Sequence, residues 1–564
     1  IFGKINSYVK KNKQTSLLMI MARKIILICI FVFVFKFILF NEKTKILIIA
    51  ALVFSSVGCK KWLDINTDPA NPQVGTGEVL ISPITYQMAN NIQNDSRFLF
   101  KYVQFWGGQA AATDADWERH GYQAASDNAG SIWRMTYINL GPNLELMIKD
   151  GEENNKWSFA GIGYAIKAWA FQITTDYHGP IILDQAFDKN RLTFNYQEQN
   201  EVYERVREWC HLALNYLDRP DGKDYSSVLA GPSGDLVYGG DRAKWKKFVY
   251  AVLAQQFSHL VNKPQFLTSY ADSVVKYTDL SFANATEDAT VYFNASNAAE
   301  SNGFGPNPGL ITNVLYGRIT KPIVTLLTGG VRGIPPVNPT TSVDPRLTRM
   351  INPKPGGVYE GTEVTVGDVN TTKTIPHVLG SVAAPFPGKY IFADKARFPL
   401  ISYSQLQFAK AEALFLKGQL ASAYTAYLNG IDGHMQFINL YGLNGGGATI
   451  TAAQITAYKA SSEVAQNAAS LTLSDIMQQK YIAQWGWAGV EQWCDLRKYH
   501  YNPLIFTAYD QLVGNEISSL NNGSYAYRVR PRFNSEYVWN RDELAVWGGL
   551  DNDYHTKELW FSLP

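Results

Sequence analysis

Apolar residues recur at steps of three and four along most of this chain, the spacing that puts them on one face of a helix. That spacing predicts helices at 78–94, 97–110, 129–149, 156–176, 197–217, 241–262, 402–417, 419–431, 451–464, 471–485 and 488–499. The clearest pair spans 401–431. Leu406, Ala409, Ala413 and Leu416 make one apolar face, and Leu420, Ala423, Tyr424, Tyr427 and Ile431 continue it on the next helix. Gly418 permits the tight turn between them, and the small Ala residues allow two antiparallel helices to pack closely. The spacing resembles a tetratricopeptide unit. Three further pairs suit the same plan: 129–149 with 156–176, 197–217 with 241–262, and 471–485 with 488–499. Asp241, after two glycines, is placed to cap the helix whose core face is Trp245, Phe248, Val249 and Val252. Residues 280–400 differ, with frequent Pro and Gly and β-branched runs such as Val364-Thr365-Val366. They predict long functional loops with short strands. The expected fold class is therefore all-α, helix pairs with loop insertions and a few short strands.

The first 58 residues contain two apolar runs, 25–40 (broken by Lys36) and 46–57, both shorter than the roughly 18–20 residues of a comfortable membrane span. Lys43 and Lys45 precede the second run, which ends Ser56-Val57-Gly58-Cys59. This pattern resembles a bacterial lipoprotein signal with Cys59 as the acylated residue; the alternative is an ordinary signal peptide with an incidental cysteine. Because the chain opens on Ile1, the first run is expected to be translated upstream sequence or a long n-region. The expected organisation is a leader at 1–58, a lipidated tether at 59–75 and one domain at 76–564.

Composition adds two exclusions. The leader holds nine Lys/Arg and one acidic residue, leaving 42 basic against 48 acidic side chains of the chain's 51 and 49. A mildly acidic body without a basic stripe argues against nucleic acid as partner. The cysteines Cys29, Cys59, Cys210 and Cys494 match no zinc or redox spacing, and Cys210 and Cys494 are expected to be buried free thiols.

Several segments, in order, carry a family resemblance. They are the tether Asn66-Thr67-Asp68-Pro69-Ala70-Asn71-Pro72, Asp176-Tyr177-His178-Gly179-Pro180-Ile181, Tyr238 to Phe248, Glu491-Gln492-Trp493-Cys494-Asp495-Leu496-Arg497, and Arg528 to Asn540. Together they resemble the SusD/RagB family of outer-membrane lipoproteins, in its second large subgroup, from Cys59 to about Asn540. His178, Pro180 and Cys494 depart from the residues usual at those places. The resemblance implies a tetratricopeptide-like fold and a lipid-anchored, surface-exposed protein that binds oligosaccharide or oligopeptide. It also implies delivery of that nutrient to a SusC-like TonB-dependent barrel.

No enzymatic motif competes with that expectation. Glu491 and Asp495 fall on one helix face, near the separation of a retaining glycosidase pair, but such pairs straddle a cleft. A structural ion network with Arg497, Lys498 and distant cations explains them better. The eight histidines show no metal-ligand spacing, Gly231-Pro232-Ser233-Gly234 is not a nucleophile elbow, and Gly161-Ile162-Gly163 reads as close helix packing. No cofactor or metal is expected. The aromatic residues remain: 14 Trp, 32 Tyr and 29 Phe. Flat aromatic faces cover the C–H faces of sugar rings, with polar neighbours bonding the hydroxyls. Trp117, His120 and Tyr122, in a polar stretch, are the ligand candidates, with Trp106 beside them. Tyr316, Arg318 and Tyr359 are weaker ones. Trp133, Trp169, Trp245 and Trp493 are assigned to the core.

Overall fold

Helix α1 (Gly77–Tyr102) runs unbroken through Asn94-Asp95-Ser96, where the periodicity predicts two helices. The polar run stays helical because Asp95 finds partners across the fold while Asn94 and Ser96 bond back along their own helix. The Asp95 carboxylate accepts from the backbone N–H groups of Ser131 (2.9 Å) and Ile132 (2.8 Å), capping the next helical segment, and Ser96 bonds back to the Gln93 carbonyl. Burial pushes the Asp95 carboxyl up to about 6 against the pull of those two amides.

The computed structural model describes residues 75–108, 115–312, 316–367, 375–380 and 388–564. The leader and the tether from Cys59 to Val74 lie outside the described residues. The body, from Gly75 to Pro564, is one compact unit.

After α1 the chain forms α2 (Gly141–Glu153), entered through Ser131–Arg134 and a π turn at Met135–Leu140. Then come α3 (Trp157–His178), α4 (Gln199–Asp218), α5 (Arg242–Ser258) and α6 (Ala271–Leu280). Past the loop region lie α7 (Lys321–Leu327), α8 (Tyr403–Leu416), α9 (Leu420–Tyr441), α10 (Ala452–Lys459), α11 (Leu473–Gln484) and α12 (Gly489–Lys498). Helices α2 with α3, α4 with α5, α8 with α9, and α11 with α12 pack as pairs, the arrangement that the spacing predicts. The fold is all-α and tetratricopeptide-like.

Short residues set the closeness of these pairs. At Gly430 on α9 a Cβ would stand 2.6 Å from the Phe408 ring on α8, and at Gly161 on α3 one would stand 2.7 Å from Leu217 on α4. Close packing, not phosphate binding, therefore accounts for Gly161. Gly418, at φ +73°, turns α8 into α9 as expected. Asp241 caps α5 through the Lys244 N–H at 3.0 Å.

Strands are short two-membered pairs: β1 (Trp106–Gly107) with β5 (Arg318–Ile319), β2 (Ile181–Ile182) with β3 (Tyr196–Gln197), and β4 (Ala289–Val291) with β6 (Phe398–Ile401), all antiparallel. The β-branched run 364–366 is no strand. Thr365 sits at φ +67° in a tight turn held by Gly367 N–H donating to the Glu363 carbonyl and Thr365 N–H donating to Glu118. Among the described residues, no helix is long and apolar enough to cross a membrane.

Candidate functional site

A cleft of about 960 Å³ lies between the N-terminal half of α1, the loop 230–239, the segment 286–300, and Arg397 with Tyr441. Its wall at 235–240 is built by one buried carboxylate. Asp235 accepts from the backbone N–H groups of Val237 (2.9 Å), Tyr238 (3.3 Å) and Gly240 (2.9 Å), and from the Trp245 indole at 2.7 Å. Gly240 needs its φ of +81°, and a Cβ there would reach within 2.4 Å of Leu229. The Tyr238-Gly239-Gly240-Asp241 run that the sequence singles out is thus a brace for the rim.

Aromatic rings line this cleft. Tyr86 and Phe293 meet edge to face at 6.1 Å, and the Tyr238 hydroxyl donates to the Glu287 carbonyl at 2.9 Å. Tyr292 leaves 48% of its surface exposed. The Arg397 guanidinium lies 5.7 Å from the Tyr292 ring centre and 6.0 Å from that of Tyr441. It is fixed from below by Nε donating to Thr290 Oγ1 (2.7 Å) and Nη2 donating to the Thr290 carbonyl (3.0 Å). Asp288 also contributes to the wall, buried, with Oδ1 accepting from the Tyr403 N–H at 2.6 Å while the buried Oδ2 has no partner. Burial lifts the Asp288 carboxyl well above its ordinary range, against that backbone bond, and the neighbouring charge of Glu287 lifts it further. A buried polar atom without a partner costs about 1–3 kcal/mol, a cost the fold carries just beneath the cleft wall. Apolar rings with a few fixed polar groups are what a small-molecule site requires.

The sequence missed this cleft. Its rings come from four separate segments, and only their joint placement makes a site.

The residues proposed from sequence lie elsewhere. Trp117 is not an exposed loop aromatic: it belongs to a short helix, Ala115–Glu118, is 2% exposed, and packs 5.2 Å from both Phe98 and Tyr102. Trp106 sits in β1 opposite Ile319 and packs against Phe100 at 4.6 Å and Phe304 at 5.5 Å. His120 is buried and stacked on Tyr102 at 4.8 Å. Its Nδ1 accepts from the Ala526 N–H at 3.2 Å, leaving Nε2 to donate to the Tyr509 hydroxyl at 2.9 Å. Burial holds its pKa down at about 3, and the charge of His555 lowers it further. Tyr122 is half-buried with the Arg530 guanidinium 4.3 Å over its ring. Trp117 and Tyr122 do share the lining of a smaller depression of about 200 Å³ with Arg530 and Tyr537, which His120 and Trp106 do not reach. Tyr316, Arg318 and Tyr359 are all buried.

Glu491 and Asp495 sit in an ion network. Asp495 Oδ1 lies 2.8 Å from Lys480 Nζ and 2.9 Å from Lys498 Nζ, with all three side chains shut off from solvent. Lys498 also meets Glu412 at 2.8 Å, and Glu491 pairs with His259 at 3.0 Å and Lys480 at 3.6 Å. Arg497 plays a different part from the one expected of it. It donates to the carbonyls of Asp176 (2.7 Å), Tyr527 (2.8 Å) and Trp493 (3.0 Å) and stacks 3.9 Å over the Trp493 ring. Val529 N–H donates to the Tyr177 carbonyl at 2.8 Å, so three of the recognised motifs meet in the interior. They report the scaffold and not the ligand. Cys210 and Cys494 are buried free thiols.

Comparison with known proteins agrees with this architecture. No curated protein matches the chain in sequence. Among solved structures, a SusD/RagB family protein from Bacteroides thetaiotaomicron superposes with a TM-score of 0.64 at 20% identity, covering 86% of this chain and 99% of that one. A chitin-binding protein gives 0.64 at 18% identity over the same shares. A protein described as Bacteroidetes AC2a SusD-like gives 0.65 at 14%, covering 86% of this chain and all of that one. The model of a SusD-like family described as "Starch-binding associating with outer membrane" matches residues 69–307 and 335–529. With that match running over most of its length, the chain belongs to the SusD-like family.

Proposed function

We propose that this protein binds oligosaccharide at the outer surface of the outer membrane and hands it to a SusC-like TonB-dependent transporter, without making or breaking bonds. The observation that carries the reading is the cleft, where the exposed Tyr292 ring stands beside the Arg397 guanidinium. A pyranose stacked on Tyr292 would place hydroxyls near the Arg397 guanidinium. The solved chitin-binding relative and the starch-binding description of the family make chito- and malto-oligosaccharides the first ligands to test. The burial of Asp495 between two lysines speaks against a glycosidase pair with Glu491. Membrane attachment through acylated Cys59 would hold the body beside the barrel, where a captured ligand is presented at high local concentration.

The test is calorimetry of the purified body with glycan and peptide panels, repeated with Tyr292→Ala. Glycan binding weakened by that substitution supports the reading. Binding of peptides with indifference to glycans would favour the oligopeptide alternative. Release of a Cys59→Ala variant from the membrane, and recovery of a single SusC-like barrel with the lipidated protein, test attachment and partner separately.

A further inference from the structure

Three helices that no sequence motif connects bring a complete set of transition-metal donors to one buried point. Asp176 lies near the end of α3, His259 follows α5 directly, and Cys494 lies on α12. One ligand atom from each lies within 4.8 Å of the others, and all three residues are buried. His259 Nδ1 is 3.5 Å from Asp176 Oδ2. Its other nitrogen, Nε2, is 3.0 Å from Glu491 Oε2. A carboxylate on the far ring nitrogen is the arrangement that fixes a histidine's tautomer and aims its free lone pair at a metal. Around the same point the Tyr203 hydroxyl is 3.2 Å from Nδ1 and donates to Asp176 Oδ1 at 2.6 Å, placing a fourth potential donor beside the three. Gln172 Nε2 donates to Asp176 Oδ2 at 2.8 Å, and Arg497 Nη2 approaches Cys494 Sγ at 3.2 Å, so carboxylate and sulfur are both held in place.

We propose that Asp176, His259 and Cys494 form a structural site for a borderline transition-metal dication such as Zn²⁺ or Co²⁺, with Glu491 orienting the imidazole. The donor set of sulfur, nitrogen and oxygen suits such an ion and not calcium or magnesium, which take oxygen alone. Bond lengths of about 2.0–2.3 Å require the three donors to draw together from their metal-free spacing. Because the donors are sealed from solvent, the metal enters before the helices close, and it then staples α3, α5 and α12 together.

The experiment grows cells in medium with Co²⁺ in place of Zn²⁺ and purifies the untagged full chain in detergent without chelator. Metal per chain and the thiolate-to-cobalt charge-transfer absorption are then measured. We expect roughly one equivalent of cobalt and a charge-transfer band, which Cys210→Ser retains and Cys494→Ser loses. His259→Gln, checked for folding by circular dichroism, loses the metal as well. Folded wild-type protein carrying less than about a tenth of an equivalent, or a band that survives Cys494→Ser, overturns the proposal.

Discussion

Lys480 Nζ lies 2.8 Å from Asp495 Oδ1, and neither side chain reaches solvent. The pair joins α11 to α12, and Lys498 and Glu412 extend it to α8. Removing one member of such a pair leaves a buried charge uncompensated, which costs about 3–5 kcal/mol. Asp495→Ala leaves Lys498 with Glu412 and Lys480 with Glu491 at 3.6 Å, so the loss in urea unfolding should fall at the lower end of that range, about 3 kcal/mol.

Trp117 should behave as a core residue. Its ring is wedged between Phe98 and Tyr102, so Trp117→Ala should cost about 3–5 kcal/mol. A thermal melt checks this. A variant with unchanged melting temperature would return Trp117 to the list of accessible ligand contacts.

Tyr292 should behave in the opposite way. Half-exposed on the cleft wall, it contributes little to the core, so Tyr292→Ala should leave the melting temperature near that of the parent. A stacking contact is worth about 0.5–1.5 kcal/mol, so glycan affinity should fall about two- to ten-fold by calorimetry.

The α8–α9 pair should tolerate no side chain at Gly430. Phe408 occupies the space a Cβ would need, and Gly430→Val should cost about 1–3 kcal/mol through overpacking. Denaturant midpoints of the two proteins decide it.

Acid should destabilise the fold through its buried histidines. Burial holds both His120 and His178 at about 3, against an ordinary 6.5. Groups depressed in the folded state contribute stability that is fully present above pH 6.5 and is lost as pH falls toward 3. Between pH 6.5 and 5 each forfeits about 2 kcal/mol. Asp95, raised to about 6 in the fold, works the other way and offsets about 1 kcal/mol over pH 6 to 5. His178→Asn, whose amide can replace the Nδ1–H bond to the Val529 carbonyl, should shrink the acid loss by about one proton of uptake. Urea unfolding at pH 7 and pH 5 measures that difference.

Local pattern and residue type established most of the helices, the Gly418 turn and the Asp241 cap, because each depends on residues within a turn or two of one another. The same reasoning separated Trp133, Trp169, Trp245 and Trp493 as core residues, and all four are buried. It failed wherever a distant segment supplied the partner. Asn94 to Ser96 reads as a break until Ser131 and Ile132 arrive to use the Asp95 carboxylate. Val364 to Val366 reads as a strand until Glu118 claims the Thr365 amide. Trp117 looks like a loop aromatic because its neighbours in sequence are polar, whereas its neighbours in space are Phe98 and Tyr102. The cleft is the extreme case, since Tyr86, Tyr292, Arg397 and Tyr441 share no local pattern. Periodicity is a property of a few consecutive residues. Burial and concavity arise from long-range packing, and only the tertiary structure decides them.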